Sequence, residues 1–425
     1  MAKNDDAWEK LFAEHKILSH VEHDGFFRIS AAQIKKFREP RLMTKFDHKI
    51  NLPKIFSSNE LSILPVTRGD YLISHFEAWK NFEPTNSPVI QAELPEHLQS
   101  LDAKNIFSEA IALNCAFASG IIEDFTGDEN LFPTATGRMS SGTFDFKVND
   151  TRKNLSHTVH VNNSQIEIDA AFEGINFLTL IEAKMDLSDD FLIRQLYYPY
   201  RTLSNKISKP IKPVFLVYSN GIFYLREYAF VEPESYNSLV LVRQKKYSVE
   251  STKITLADIQ EILRTVTPEA EPTVPFPQAD KFERVINICE LLNEKILTRD
   301  DVTATYAFDA RQTNYYTDAA RYLGLLEKSK VNGAVTYELS DHGRKILSRG
   351  FKERQLNFCK RILSHKVFAD TLKLYFERGT MPSTAEIISL MKDANLYNVA
   401  GESTFERRTS TVKGWLNWIV GLIND

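Results

Sequence analysis

Cysteine is scarce: Cys115, Cys289 and Cys359 are widely spaced, odd in number and form no CxxC pair. That excludes a disulfide framework and a thiolate zinc site, and it fits a reducing compartment. Long apolar runs are missing too. No stretch reaches the roughly 18 consecutive apolar residues of a spanning helix, so no membrane partner is expected. The opening residues, Met1-Ala2-Lys3-Asn4-Asp5-Asp6, lack the apolar core of a signal peptide. The expectation is a soluble cytoplasmic protein. There is no GxxxxGKS/T, which argues against an ATP-driven translocase, and no GxGxxG follows a strand-like run. Net positive charge is absent as well: 52 basic against 56 acidic residues gives 52 − 56 = −4. A nucleic-acid partner must therefore be held by local patches.

What is present is ordinary globular composition, with 43% hydrophobic, 25% charged and 11% aromatic residues over 425 positions. That length suits two or three domains. Pro268, Pro272, Pro275 and Pro277 crowd the stretch Arg264–Asp280. Proline removes backbone donors and biases its predecessor toward extended geometry, so the stretch reads as a semi-rigid linker. A softer break lies at Pro84–Pro95. The expected parts are residues 1–95, 96–263 and 281–425, the last divisible into 281–350 and 351–425.

The central part changes its hydrophobic period in an informative order. Residues 103–124 carry apolar or small side chains at helical spacing, from Ile106 to Ile121. Three strand-like runs follow: Gly142–Val148, Gln165–Phe172 and Phe177–Lys184, with Glu173-Gly174-Ile175-Asn176 as a hairpin turn. A helix is expected from about Asp189, with Ser188 as its cap and Pro199 as its kink or end. Val214–Tyr218 and Ile222–Tyr228 then read as strands meeting at Ser219-Asn220-Gly221. The order implies an α/β (α+β) core, a mixed sheet flanked by helices.

Side chains alternate along a strand, so Glu182 and Lys184 share one face while Ile181 and Ala183 take the other. On the preceding strand Glu167 and Asp169 lie opposite Ile166 and Ile168. Folding the two strands around residues 173–176 lets Asp169 approach Glu182, setting two carboxylates beside one ammonium. Hard oxygen ligands of this kind suit Mg²⁺, and the combination describes metal-assisted phosphodiester hydrolysis. The bland alternative is a cross-strand ion pair on a solvated face. The apolar run FLTL before IEAK points instead to an interior strand. Glu173 shares the parity of Asp169 and is a substitute ligand if the register differs by one pleat. His157 and His160 form an HxxH pair, but no helix or third soft ligand accompanies them.

Asp169, then Glu182-Ala183-Lys184, then a helix bearing Arg194-Gln195 resembles the PD-(D/E)XK nuclease superfamily, and within it the type II restriction endonucleases. The phrases SQIEIDAAFEG, LIEAKMD, FLIRQLYYPYR and GRMSSGTFDF are similar to that group, over roughly residues 100–230. One departure is Ile168, where the motif has proline before the aspartate. The resemblance implies a restriction-endonuclease-like core with Asp169, Glu182 and the Ala183 carbonyl as ligands of Mg²⁺, or of Mn²⁺ as its substitute. It implies that Lys184 orients water or stabilises charge, that Gln195 holds the active strand or a phosphate, and that Glu109 is an accessory carboxylate. It further implies double-stranded DNA as substrate, a homodimer, and a cognate DNA methyltransferase as a genetic partner in a prokaryotic cell. GRMSSG is expected to be a loop presenting Arg138, Ser140 and Ser141 to DNA, with Arg194 nearby.

The flanks supply local charge. Arg344–Lys366 holds eight bases against Glu353, and Lys35–Lys49 holds six against Glu39 and Asp47. From the latter, Arg38, Arg41 and Lys45 are candidate DNA contacts. After the proline run, three helical patterns lead to a hairpin at Asn332-Gly333, which looks like a winged helix-turn-helix in a mainly helical C-terminal part. Arg311, Gln312 and Tyr315 would lie on its recognition helix, with Arg407 and Arg408 as further contacts. The rival readings are a structure-selective DNA repair nuclease, a methyl-dependent nuclease, and a non-catalytic winged-helix DNA-binding regulator.

Overall fold

In a computed structural model, residues 2–85, 87–306 and 308–424 are described. By its contacts the chain divides into two units. The first comprises Met1–Ile90, Ser108–Tyr218 and Phe223–Tyr247; the second comprises Gln91–Phe107, Ser219–Ile222 and Ser248–Asp425. The N-terminal segment thus joins the central one, and the helix Leu256–Thr265 goes with the C-terminal unit.

A mixed seven-stranded sheet is built from β1 (Val89–Gln91), β2 (Phe132–Ser140), β3 (Gln165–Glu173), β4 (Leu178–Lys184), β5 (Ile211–Ser219), β6 (Ile222–Phe230) and β7 (Leu239–Ser248). Its spatial order is β1-β7-β6-β5-β4-β3-β2. Strands β3 and β4 form an antiparallel hairpin, while β4 and β5 run parallel, so β4 is interior. Every residue from Leu178 to Ala183 is buried, as a strand covered on both faces requires. Asn220 and Gly221 both take positive φ, 51° and 78°, which is the geometry of a tight two-residue hairpin turn.

Three helices belong with this sheet: α1 (Glu109–Ala118), α2 (Ile121–Thr126) and α3 (Arg194–Ser204). The single helix expected over 103–124 is two, because Gly120 turns left-handed at φ 72°. The helix expected from Asp189 begins only at Arg194. Asp190–Leu192 is instead a short strand paired with Trp79–Asn81, and the Ser188 hydroxyl donates to the Asp190 carbonyl rather than capping a helix. Nor does Pro199 end α3. The helix runs through it to Ser204, held by the buried Leu196, Tyr197 and Tyr198 and by the hydroxyls of those tyrosines, which donate to the Pro233 and Pro65 carbonyls. Most of GRMSSG is strand rather than loop: Gly137–Ser140 ends β2, Ser141 and Gly142 connect it to Thr143–Asn149, and that strand pairs with Ser156–Asn162 as a separate ribbon.

The core under the sheet is strongly aromatic, with Phe144, Phe146, Phe191, Tyr197, Tyr198, Phe215 and Tyr228 in one cluster. Leu64, Val66 and Phe76 of the N-terminal segment enter the same cluster, which explains why that segment does not stand apart. Its own helices pack on Trp8, Leu11, Phe12 and Phe56.

In the second unit, helices Phe282–Asn293, Arg299–Thr305 and Ala310–Tyr322 accompany a three-stranded antiparallel sheet of Leu297–Thr298, Ala334–Leu339 and Leu326–Val331. Five more helices follow, ending with Glu402–Gly421. The proline-rich stretch is not a free linker. Phe276 and Ala279 are buried, Phe276 stacks on Phe368 at 5.6 Å, and the Glu269 amide donates to the Ser364 carbonyl. Proline bars it from helix and inner strand, but its interspersed apolar residues still strap it onto the unit.

Candidate active site

The hairpin β3–β4 is paired from Leu178↔Glu173 to Ile181↔Ala170. Beyond that point a side chain replaces the ladder: Asp169 Oδ2 accepts from the Ala183 amide at 2.8 Å. The face of β4 that carries Leu178 and Leu180 ends in Glu182 and Lys184, as strand parity dictates. Lys184 Nζ donates to Glu182 Oε1 at 2.5 Å and to the Ala183 carbonyl at 3.0 Å, and lies 4.0 Å from Asp169 Oδ2. Glu109, the first residue of α1, comes within 3.8 Å of the same ammonium; Ser108 caps that helix by accepting from the Ile111 amide. Gln195, on the first turn of α3, donates to Glu182 Oε1 at 2.7 Å.

The electrostatics follow from burial and crowding. Burial is the main reason the Glu182 carboxyl is pushed up to about 7; Asp169 and Asp47 add to the rise and Lys184 opposes it. Burial likewise raises Glu109. For Lys184, burial opposes the charge, but Glu182, Glu109, Asp169 and Asp47 outweigh it and hold the ammonium well above its usual range. Three carboxylates, of Glu109, Asp169 and Glu182, thus lie within 4.0 Å of one amine.

The acceptor atoms around Lys184 Nζ are all hard oxygens, from carboxylates and one main-chain carbonyl. That is the chemistry Mg²⁺ selects, so Asp169, Glu182 and the Ala183 carbonyl fit such an ion as ligands. Among the described residues no group of three or more His, Cys, Asp or Glu side chains is arranged as a metal cluster. The fit rests on two carboxylates plus the main chain.

Other sequence-derived residues lie elsewhere. Glu173 pairs with Leu178 at the turn end of the hairpin and binds Lys209 at 2.8 Å, so the register excludes it from this site. His157 binds Asp150 and His160 binds Asp145, at 2.8 Å and 2.6 Å. Arg138 and Ser140 are exposed on β2, near Glu167 and bonded to Asn163 respectively. Ser141 is buried, with its carbonyl accepting from Thr202, which removes it from any DNA-facing surface. Arg194 is half-buried over the Tyr198 ring. Arg38 donates to Asn4, Arg41 is exposed, and Lys45 sits 3.3 Å from Asp47.

In the second unit, Arg311 Nε donates to the Tyr315 hydroxyl at 2.6 Å on the exposed side of their helix. Gln312 turns back toward the Asp309 amide as part of a capping box, which limits its reach. Arg407 is exposed; Arg408 is half-buried, and burial is the main reason its guanidinium pKa is lowered.

Sequence reading missed Asp47, His48, Asp186 and Asp190. His48 lies between the two later aspartates, 3.2 Å from Asp186 and 3.1 Å from Asp190. No local period or spacing joins residue 48 to residue 186, and only the tertiary fold reveals the contact.

Three family models match the chain, each a domain of unknown function: DUF6996 over residues 5–73, DUF6997 over 74–248 and DUF7226 over 284–424. The second contains all of β2 to β7 and the hairpin site. No curated protein and no solved structure matches the chain.

Proposed function

We propose that the protein is a Mg²⁺-dependent type II restriction endonuclease that hydrolyses double-stranded DNA at a short sequence. The observation that carries the reading is the open end of the β3–β4 hairpin, where Asp169, Glu182, the Ala183 carbonyl and Lys184 converge with Gln195 behind them. In this reading the sheet and its helices form a PD-(D/E)XK core, and the helices and hairpin of residues 281–350 form a winged helix.

Asp169, Glu182 and the Ala183 carbonyl would hold Mg²⁺, with Mn²⁺ as its substitute; the bound ion supplies charge for the phosphoryl oxygens and acidifies a water. The Ala183 amide fixes one Asp169 oxygen and leaves the other available. Gln195 does the same for Glu182 by donating to Oε1. Lys184 places a permanent positive charge where charge builds up on phosphorus oxygens, or orients the attacking water. DNA is held by Arg311, Tyr315, Arg407 and Arg408 in the second unit, and by Arg138, Ser140, Arg194, Arg41 and Lys45 in the first. Because net charge is negative, these local contacts make affinity steeply salt-dependent. The restriction enzymes it resembles usually pair two active sites on two strands, so in this reading the working form is a homodimer, protected in its host by a cognate methyltransferase.

The test is a metal-dependent digest of plain plasmid DNA with sequencing of the ends. Discrete ends at one short sequence support the proposal. Cutting confined to forks, flaps or mismatches replaces it with a repair nuclease, and cutting of methylated DNA alone replaces it with a methyl-dependent enzyme.

A further inference from the structure

We infer that His48, carried by the N-terminal segment, is a positioning residue for the proposed cleavage, fixing the connection whose two ends hold Glu182. The inference rests on the nuclease reading and names what sets the geometry of that site. Strand β4 ends at Lys184 and α3 begins at Arg194, so residues 185–193 form the connection. The side chains on either side of it meet on one atom. Lys184 Nζ and Gln195 Nε2 donate to Glu182 Oε1 at 2.5 Å and 2.7 Å. How Glu182 presents its other oxygen therefore depends on how the connection is folded. A short ladder fixes the far half, where Asp190–Leu192 pairs with Trp79–Asn81 and the Ile193 amide donates to the Ala78 carbonyl at 3.0 Å.

His48 clamps the near half to the far half. Its Nε2 lies 3.2 Å from Asp186 Oδ2, just beyond Lys184, and its Nδ1 lies 3.1 Å from Asp190 Oδ1 and 2.8 Å from the Asp190 carbonyl oxygen. A carbonyl and an ionised carboxylate can only accept, so both ring nitrogens donate and the ring is an imidazolium. Its side chain is 7% exposed, which keeps competing water away from these contacts. The residues around it are anchored to the same ladder: the Lys49 amide donates to Asp190 Oδ2 at 3.0 Å, and the Trp79 indole donates to the Phe46 carbonyl at 3.1 Å. One ring thus cross-links two points of the connection. It acts on Glu182 only through Lys184 and Gln195.

The experiment uses the full chain with His48→Gln, whose single amide nitrogen cannot stand at both ring positions. Two readouts separate positioning from mere stability. Plasmid cleavage per folded molecule is expected to fall about a hundredfold in kcat, with KM for DNA changed by less than about twofold. By NMR, the Gln195 side-chain amide, assigned by its disappearance in Gln195→Leu, is expected to lose its hydrogen-bonded proton shift in His48→Gln. Asp186→Asn is the milder variant should His48→Gln not fold; it keeps the size of the side chain, removes its charge and is expected to slow cleavage roughly tenfold. A wild-type rate or a wild-type Gln195 amide shift in the folded variant overturns this inference and leaves the nuclease reading standing. A wild type that cuts no DNA overturns both.

Discussion

The two ends of the β3–β4 hairpin each bury an aspartate or glutamate, and they treat it in opposite ways. At the turn, Asp128 is 1% exposed and accepts from the Asn176 and Phe177 amides, at 3.0 Å and 2.8 Å, and from the Asn176 side chain. Burial alone would raise its pKa, but these donors outweigh it and hold the carboxyl below the usual range. The packing is so close that a Cβ at Gly174 would run into the Asp128 carboxylate. At the open end Glu182 is nearly as buried, yet its donors are side chains, Lys184 and Gln195, and its pKa rises to about 7. Main-chain amides cannot move away; an ammonium and an amide side chain can. A carboxylate saturated by backbone is structural, whereas one held by movable side chains remains able to exchange partners.

The sharpest way to break that contrast is at the open end. Asp169→Ala, Glu182→Ala and Lys184→Ala should each lower cleavage by roughly a thousandfold or more while unfolding as wild type does. A Glu182→Ala protein that still cuts would remove that carboxylate from the site. At the closed end the effect should reverse. Asp128→Asn is expected to cost about 3 kcal/mol in a denaturant titration, because it leaves buried amides mismatched, with cleavage per folded molecule unchanged. The His48 clamp is intermediate: His48→Gln should cost about 2 kcal/mol near pH 6. The His48 pKa is raised to about 10: burial opposes the charge, and Asp186 and Asp190 overcome it. A raised histidine contributes fully below its unfolded value of about 6.5 and loses that contribution as pH rises through 10. The gap in melting temperature between wild type and His48→Gln should therefore narrow steadily from pH 6 to pH 10. The smallest effect is expected far from the hairpin: Arg311→Ala should weaken DNA binding roughly tenfold, with Mn²⁺ affinity unchanged.

Local pattern makes the open end legible. Strand parity puts Glu182 and Lys184 on one face, and a four-residue turn brings Asp169 alongside; both are short-range rules read directly from order and spacing. The interior position of β4 and the hairpin at Asn332-Gly333 are legible for the same reason. Illegible are contacts decided by distant packing. Glu173 has the right parity, but the turn places it opposite Leu178, and Lys209 takes it. Asp190 reads as helical from its local sequence, yet Trp79–Asn81 recruits it into a strand. The proline run reads as a linker because proline bars regular structure; its Phe276 nevertheless finds Phe368. Backbone restriction says what a segment cannot form, and says nothing of what it packs against.

The unit boundaries carry a practical corollary. The chain enters the second unit at Gln91, leaves it after Phe107, returns briefly at Ser219–Ile222 and comes back for good at Ser248. No single nick can free either unit, and a fragment begun at residue 281 would forfeit Phe276, Ala279 and the helix Leu256–Thr265. Any dissection by truncation has to respect that weave, so point substitutions are the proper scalpel for assigning cutting and reading to separate regions.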